Sequence, residues 1–444
     1  MTQTSLLNLP QELPDNLLLR WGRTEDAEAL SDFNVRIHSD EPERPEMWLG
    51  SWTRDLLGGA HPTTKATDFT VVEDTNSGAI VSSMVLISQT WSYDGIPFGV
   101  GRPELVGTED AYRRRGLIRR QMEIAHAVSE RRGDRMQAIT GIPWYYRQFG
   151  YEMAVNLGGG REYFFTRPGN DKQPQEKSYQ TRPATAADIP LLQTLYNEHS
   201  AGSLLRLERS EEIWRFQLTE AHRDSVGALN AQIILNQSGQ AVAYFAADAV
   251  EGILLLKEVG VTPGHSWRSI ATFIMSKLKQ RLEKLNATRE KPLTSITIPL
   301  YETHPLIIAL DRQLEKMRPP YAWYVRVPDL PGFIQHIVPV LEKRLAASVM
   351  AGHSGMLRLN FYRDTLRLTF DRGRMTAIDQ YEPKAVEDAD ALFPNLTFLQ
   401  LLFGHRSLDE LDHAYADCYA ANAEAAVLLR ALFPPRPSWI GALN

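Results

Sequence analysis

The chain passes from a predicted strand into a predicted helix at Arg113-Arg114-Arg115-Gly116-Leu117-Ile118-Arg119. The first backbone N–H groups of a helix have no partner within the helix, and the helix dipole is positive at that end. Gly116 would let the backbone approach a ligand closely, and guanidinium groups bind phosphate oxygens well. The stretch therefore predicts a site for an anion such as a diphosphate.

The alternative interpretation of this stretch is a solvated basic run at the start of a helix, because short motifs often occur without a function. Its position favours the site. A cationic residue at a helix N-terminus opposes the dipole by about 0.3–1 kcal/mol. Three in succession are therefore expected only where an anion binds.

Regular patterns surround this turn on both sides. A strand ends at Glu104–Thr108, and a helix is predicted from about Arg115 to Arg132, with Gly133 as its end. A further strand is predicted over Ala138–Ile142, and hairpins precede the first strand. The order predicts mixed α/β layers of the α+β class, not a doubly wound parallel sheet.

Length and composition limit the remaining possibilities. At about 150 residues per domain, 444 residues suggest three domains. A net charge of −6 argues against general nucleic-acid binding, which needs a cationic surface. The single cysteine, Cys418, allows neither a disulfide within the chain nor a thiolate metal cluster, and His405 and His413 lack a third ligand, so we expect no metal. No apolar stretch is long enough to span a membrane, and we expect a cytoplasmic protein.

Breaks in the pattern predict three domains, residues 1–166, 178–325 and 326–444. The polar segment Arg167–Lys177 has the composition of a linker, and a strand-like aromatic run ends near Arg326.

The first two domains are predicted to be copies of one fold. Glu104–Thr108 corresponds to Glu258–Thr262, and Ile139–Tyr145 corresponds to Ile296–Tyr301, in the same order and at similar separations. The second copy has Pro263-Gly264-His265-Ser266-Trp267-Arg268 where the first has its arginine-rich turn. We therefore expect the second copy to be structural.

The third domain follows a different pattern. A helical stripe from Phe333 to Leu345 precedes two strands that alternate on either side of Arg363-Asp364. Helical segments are predicted at 396–403 and 408–432.

The strand, turn and helix resemble the coenzyme A pyrophosphate loop of the GNAT superfamily of N-acetyltransferases. That loop usually has Gln or Arg, two residues, Gly, one residue, and Gly or Ala; Arg113 and Gly116 match, and Ile118 replaces the last. The Arg-Arg-Arg-Gly-Leu-Ile sequence, the doubled fold and the third domain together resemble the Eis (enhanced intracellular survival) family. The resemblance implies an N-terminal GNAT domain, a degenerate second GNAT domain and a C-terminal domain of the sterol-carrier-protein type.

The resemblance also implies acetyl-CoA as cosubstrate and a set of residues that bind it. The backbone of β-strand residues would bind the pantetheine arm, the turn would bind the phosphates, and the next strand would lie along the coenzyme. These residues are Val106, Gly107 and Thr108; Arg114, Arg115, Gly116, Leu117, Ile118 and Arg119; and Gly141 and Ile142.

A tyrosine is implied as the general acid. The stretch Tyr145-Tyr146-Arg147-Gln148-Phe149-Gly150-Tyr151 resembles the family segment whose tyrosine protonates the departing thiolate of coenzyme A, and Tyr146 matches that tyrosine. A phenol with a pKa of about 10 can donate to a thiolate whose conjugate acid has a pKa of about 8.5. Packing at a strand end is the alternative role of these aromatic side chains.

Two groups remain open as the base that deprotonates the amine. In the Eis family the C-terminal carboxylate has this role, which implies Asn444 here, although the family normally ends in an aromatic residue. Glu104 is the alternative, on the strand where many GNAT enzymes place a glutamate base.

The acceptor is expected to be a primary amine: an aminoglycoside-like polyamine, a small amine or a protein lysine. The acidic stretch His38–Glu43 with Trp48, Trp52 and Trp91 would suit a cationic acceptor, unless the stretch is a solvated loop. The resemblance also implies a homo-oligomer, with a hexamer as one candidate assembly. A non-catalytic protein that binds coenzyme A and an apolar ligand is the rival hypothesis.

Overall fold

The computed structural model describes residues 6–166, 179–250, 253–289 and 291–441, which form three sheets with helices packed on them. The predicted linker Arg167–Lys177 and the predicted base Asn444 lie outside the described residues. The helices are α1 Ala27–His38, α2 Met47–Leu57, α3 Leu117–Arg132, α4 Ile189–Ser200, α5 Glu211–Arg215, α6 Trp267–Asn286, α7 Pro305–Leu310, α8 Leu330–Ala346, α9 Phe398–Leu402, α10 Leu408–Ala414 and α11 Ala423–Leu432. The strands are β1 Gln11–Leu13, β2 Leu17–Trp21, β3 Phe69–Asp74, β4 Ala79–Tyr93, β5 Ile96–Thr108, β6 Met136–Ile139, β7 Glu152–Leu157, β8 Gly160–Phe164, β9 Tyr179–Pro183, β10 Leu205–Glu208, β11 Ala231–Asn236, β12 Ala241–Val250, β13 Ile253–Val261, β14 Ser295–Ile298, β15 Leu314–Arg318, β16 Tyr321–Arg326, β17 Gly355–Asn360, β18 Thr365–Asp371, β19 Arg374–Asp379, β20 Ala391–Leu392 and β21 Tyr419–Ala420.

The first sheet has the order β1-β2-β3-β4-β5-β6-β16-β7, and β10 pairs with β4. Its strands are antiparallel except for β5 and β6, which are parallel because α3 connects them. The apolar face of α3, including Met122, Ile124 and Ala125, is buried in one core with residues of β2, β3 and β4. The predicted mixed α/β fold is confirmed.

The second sheet, β15-β8-β14-β13-β12-β11-β9, repeats this strand–helix–strand unit. Strands β13 and β14 are parallel, and α6 connects them. Both units also carry an irregularity in strand register beside the repeated segments Glu104–Thr108 and Glu258–Thr262. It lies between Ser83 and Val85 opposite β5, and between Ala246 and Ala247 opposite β13. These shared features support the predicted duplication.

Two strands join the sheet of the other segment. Strand β8 precedes residue 166 but pairs with β14 and β15 in the second sheet. Strand β16 follows the whole second copy but lies between β6 and β7 in the first sheet. The sequence pattern cannot show this, because it identifies a strand without identifying its partner. Both strands join the sheet on the far side of a predicted boundary, and the division into domains stays a prediction.

The third sheet, β19-β18-β17-β20-β21, is covered by α8 to α11. Strands β17 and β18 form the predicted antiparallel pair. The predicted continuous helix over 408–432 is wrong, because β21 separates α10 from α11 and the Asn422 side chain caps a new helix by accepting a hydrogen bond from the Ala425 N–H.

The first and third sheets share one hydrophobic core. The Phe333 ring of α8 packs edge-on against Tyr93 and Phe98 of the first sheet and against Phe403 after α9, with centroids 5.3–6.1 Å apart. The C-terminal tail then lies along β10, where the Trp439 N–H donates to the Leu205 carbonyl at 2.8 Å.

Several features bear on the protein classes considered above. In the described part of the chain, no helix combines the length and apolar character needed to cross a membrane. The same residues contain no group of three or more His, Cys, Asp or Glu side chains suited to a metal ion. Burial raises the pKa of the Cys418 thiol to about 12, so this cysteine is a protonated packing residue at neutral pH.

Replacing Phe333 by alanine is expected to lower the free energy of unfolding by about 3–5 kcal/mol, because the ring is fully buried where the first and third sheets meet. Urea unfolding followed by circular dichroism measures this effect. Val349→Ala is the control, since Val349 is 89% exposed. Equal stability of the two variants would contradict the shared core.

Candidate active site

The site begins where two parallel strands separate. Strands β5 and β6 pair only at Val100–Met136 and Gly101–Gln137. Beyond this point β5 continues along β4, while β6 pairs with β16. Leu105, at the register shift of β5, has a φ of +53°, which re-aims the backbone there. A gap therefore opens between the second half of β5 and the residues after β6.

The arginine-rich turn lies at one end of this gap. Gly116 has a φ of +76° and Arg114 a φ of +65°, so the backbone turns sharply before α3. The helix therefore begins at Leu117, two residues after the predicted start, and no side chain caps its first turn. Its positive end is open to a ligand, as the sequence predicts.

A cavity of about 580 Å³ connects the turn with the gap, and we call it the loop cavity. It brings together three segments: the end of β5, the turn with the first residues of α3, and the segment after β6. The predicted site residues that line it are Val106, Gly107, Thr108, Arg114, Gly116, Leu117, Ile118, Arg119, Ile142 and Tyr146.

The charge of the loop cavity is positive. Arg114 is exposed and makes no ion pair with any described residue. Arg119 donates to the Gln148 side-chain oxygen at 3.1 Å and lies 5.4 Å from the Phe149 ring. Both partners are neutral, and among the described residues no carboxylate pairs with the Arg119 guanidinium. Arg115 does not line the cavity; it forms an ion pair with Asp15 at 3.1 Å.

Tyr146 lies on a short 3-10 helix, Tyr145–Phe149, which also lines the loop cavity. Its ring packs against the rings of Tyr145, Tyr151 and Tyr324 at 5.1–6.3 Å, and it is only 5% exposed. Its hydroxyl makes no hydrogen bond to the residues that the structure describes. Burial, and then the nearby charge of Glu104, raises the pKa of Tyr146 well above its usual value, so the phenol is protonated at neutral pH.

Gly141 and Ile142 are held by tyrosines that the sequence did not single out. The Tyr321 hydroxyl donates to the Gly141 carbonyl at 2.7 Å, and the Tyr324 hydroxyl donates to the Ile142 carbonyl at 3.3 Å. Gly141 itself does not line the loop cavity, but a Cβ there would lie 3.3 Å from the Tyr146 ring. The aromatic run of β16 was recognised as a strand, but nothing in it indicated that it joins this site.

Glu104 is a buried carboxylate on β5. It accepts a hydrogen bond from the Arg102 guanidinium at 2.7 Å, and Arg102 lies 4.7 Å from the Trp323 ring. Burial raises the pKa of Glu104, and the charge of Arg102 offsets part of that rise. A carboxylate with a raised pKa is a better base, but its ion pair would have to adjust for it to accept a proton.

Among the residues suggested as acceptor contacts, Trp48 and Trp52 pack together, with ring centroids 6.4 Å apart, but neither lines the loop cavity. The stretch Asp40–Glu43 is exposed, as expected for a solvated loop. Trp91 is fully buried against Trp323, with ring centroids 5.7 Å apart. His38, at the start of the same stretch, does line the loop cavity, and burial lowers its pKa, so it is neutral at pH 7.

Known proteins share this fold and this site region. Residues 50–154, which contain β5, α3, β6 and Tyr146, match the model of the acetyltransferase (GNAT) domain. No curated protein matches the chain in sequence.

Solved structures match almost the whole chain at low identity. A conserved protein of unknown function from Enterococcus faecalis, described as a probable N-acyltransferase, is 16% identical with a TM-score of 0.65, over 96% of this chain and 99% of the other. A GCN5-related N-acetyltransferase from Anabaena variabilis is 12% identical with a TM-score of 0.62, over 96% and 99%. Eis1 from Mycobacterium abscessus is 12% identical with a TM-score of 0.58, over 95% and 98%. These likenesses show the same fold along the whole chain.

Together, the matching domain and the loop cavity identify the chain as an enzyme, an acyltransferase that uses an acyl-coenzyme A as cosubstrate.

Arg114→Glu is expected to weaken coenzyme A binding at least 10-fold, because it replaces a cation that has no partner in the loop cavity by an anion facing the phosphates. Isothermal titration calorimetry with coenzyme A measures the affinity. Arg131→Glu, at an exposed position near the other end of α3, makes the same charge change and serves as the control. An equal effect of both substitutions would place the phosphates elsewhere.

Proposed function

We propose that the chain transfers the acetyl group of acetyl-CoA to a primary amine, with Tyr146 as the general acid. The observation that carries this proposal is the loop cavity, which connects an uncapped helix start and the exposed Arg114 with the buried phenol of Tyr146. The diphosphate would bind Arg114 and the first-turn amides of α3, from Leu117 to Arg119.

The pantetheine arm would lie along Val106, Gly107 and Thr108 in the gap between β5 and β6. In a continuous sheet, the edge of β5 that carries these residues would pair with β6. Strand β6 instead pairs with β16 beyond Gln137 and leaves this edge of β5. An extended amide chain can therefore replace the missing strand by hydrogen bonds to the backbone. This arrangement brings the thioester towards Ile142 and Tyr146.

The reaction then proceeds by direct attack. The lone pair of the neutral amine forms a bond to the thioester carbonyl carbon, and the carbon–sulfur bond breaks when the tetrahedral intermediate collapses. The Tyr146 hydroxyl donates its hydrogen bond, and finally its proton, to the leaving thiolate, while the nitrogen loses one proton to a base. The products are an N-substituted acetamide and coenzyme A, and the base passes the proton that it took from nitrogen to the phenolate of Tyr146, which restores both groups.

Two bases remain candidates, the carboxylate of Asn444 and that of Glu104. For Asn444, the support is that Gly441 lines a cavity together with Tyr321, whose hydroxyl binds the Gly141 carbonyl. Three residues of extended chain span at most about 10 Å, which limits how far from Gly441 the Asn444 carboxylate could lie. For Glu104, the support is its raised pKa and its electrostatic effect on Tyr146.

We further infer that the chain is a member of the Eis family. The support is the match of fold along the whole chain, including Eis1, and the Arg-Arg-Arg-Gly-Leu-Ile turn. Membership of this family would make residues 326–444 a sterol-carrier-protein-like domain and would give Arg115 and Gly141 a part in coenzyme binding. It would also make the protein a cytoplasmic homo-oligomer, with a hexamer as one candidate assembly.

Tyr146→Phe is expected to lower kcat for acetyl transfer about 10²–10⁴-fold and to leave coenzyme A affinity unchanged, because it removes only the proton donor. Thiol release from acetyl-CoA in the presence of a panel of primary amines measures kcat, and calorimetry measures affinity. Tyr415→Phe, a change at a 40% exposed tyrosine of the third domain, is the control.

Full activity of Tyr146→Phe would remove the tyrosine from the mechanism. Coenzyme A binding without transfer to any amine by the unaltered protein would instead favour the non-catalytic binding protein.

The two candidate bases predict different variants to be inactive. If the C-terminal carboxylate is the base, adding three glycines after Asn444 displaces it and lowers kcat/KM at least 100-fold, while Glu104→Gln acts mainly on stability, since it leaves the buried Arg102 without its charge partner. If Glu104 is the base, the results reverse. Since a base must be deprotonated and burial raises the pKa of Glu104, activity would then fall as the pH drops through that pKa, at a higher pH than for an ordinary carboxylate. The pH profile of kcat/KM distinguishes the two, with circular dichroism as the check on folding.

A further inference from the structure

A second cavity, of about 530 Å³, lies between the second sheet and the C-terminal tail, and we call it the tail cavity. Strands of the second sheet, the strands β7, β10 and β16 of the first sheet and the tail all contribute to its wall. Its lining includes five charged side chains and one tyrosine: Arg209, Lys257, Glu258, Lys316, Arg318 and Tyr321. Trp439, Ile440 and Gly441 of the tail also line it.

Tyr321 connects the tail cavity with the active site. Its side chain lines the tail cavity, and its hydroxyl donates to the carbonyl of Gly141 at 2.7 Å. Gly141 in turn lies against the ring of Tyr146, which lines the loop cavity. The two cavities therefore approach the same short segment, one from the phosphate loop and the other from the tail.

The tail cavity is not equipped as a second coenzyme site. Helix α6, the counterpart of α3, is capped internally, because the Ser266 hydroxyl accepts a hydrogen bond from the Ser269 N–H at 3.2 Å. The first turn of α3 has no such side-chain cap. Pro263 also stands in the preceding turn and carries no N–H group. This leaves the tail cavity to the acceptor, whose amine must extend to the thioester carbon itself for direct transfer.

Charge indicates which acceptor the tail cavity suits. Four cationic side chains line it against one carboxylate. That carboxylate, Glu258, is already bound: it accepts from Arg209 at 2.9 Å and from Tyr244 at 3.2 Å. Lys257 pairs with Asp248 and Arg318 with Glu162, whereas Lys316 has no ion partner within the described residues. The charge left for a ligand is positive.

The buried part of this lining is fixed in place. The Arg209 guanidinium lies 3.6 Å from the Trp214 ring and 4.0 Å from the Tyr196 ring, and its side chain is 1% exposed. Burying such an ion pair costs desolvation energy, which a purely structural position could avoid with apolar residues. A rigid charged wall is instead suited to orient a polar ligand.

We propose that the tail cavity binds the acceptor, and that the acceptor is a primary amine that also carries an anionic group, a carboxylate or a phosphate. This inference rests on the proposed acetyl transfer and narrows its acceptor class. The anionic group binds near Lys316 and Arg318, and the amine points past Tyr321 towards the thioester. The cationic wall also lowers the pKa of the bound amine, which favours the neutral form that attacks.

The test compares acceptors that differ only in the anionic group, with acetyl-CoA as donor. Phosphoethanolamine is compared with ethanolamine, and β-alanine with propylamine, which also separates phosphate from carboxylate. We expect kcat/KM to be at least 10-fold higher for the anionic member of one pair or of both. Lys316→Glu is expected to reduce that ratio at least 10-fold and to leave coenzyme A affinity unchanged.

Lys291→Glu is the matched control, since Lys291 is exposed and does not line the tail cavity. Calorimetric titration of phosphoethanolamine into the unaltered protein and both variants gives a measurement that is independent of turnover, with binding lost only in Lys316→Glu.

Transfer that favours the uncharged members, or a ratio that Lys316→Glu leaves unchanged, would overturn this inference while the proposed function stands. No transfer to any of the four amines or to the wider panel would overturn both.

Discussion

The separation of β5 from β6 is the constraint on which the rest of the structure depends. Two parallel strands that pair at one end only leave backbone N–H and C=O groups without partners, and such groups are costly to bury. On the β6 side, β16 supplies the missing partner. On the β5 side, the gap remains as the wall of the loop cavity, where the amides of a coenzyme could take the vacant place. The active site thus lies at an interruption of the sheet, where β16 pairs with the edge of β6 and the edge of β5 faces the loop cavity.

The positive ends of the two repeated helices show how one fold takes two roles. Helix α3 starts after a left-handed Gly116 with no side-chain cap, and Arg114, which has no ion pair among the described residues, lies beside it. Helix α6 starts with a serine cap in the same topological position. A single capping hydroxyl uses one of the amides that an anion would need. In the second copy the cavity has a different composition, built on the buried Arg209–Glu258 pair and closed by the tail.

The sequence was informative wherever local chemistry decides the outcome. Gly116, the arginines around it and the periodicity of α3 predict the turn and the helix, and the resemblance adds Tyr146, which the structure brings to the same cavity. Sequence alone failed where the partner is distant. Tyr321 and Tyr324 lie about 180 residues after the carbonyls they bind, and no periodicity records that pairing. The acidic stretch Asp40–Glu43 misled because clustered charges suggest a site but are usually solvated, whereas the charges of the tail cavity come from scattered positions.

The exchange of β8 and β16 between the sheets has a consequence for how such a protein could arise and be rearranged. A piece cut after the first copy would lack β16, and the edges of β6 and β7 would be exposed, a known hazard for edge-to-edge aggregation. Each of the two repeated units therefore contributes a strand to the sheet of the other, β8 to the second sheet and β16 to the first. A first copy transferred alone would therefore need another strand to pair with β6 and β7.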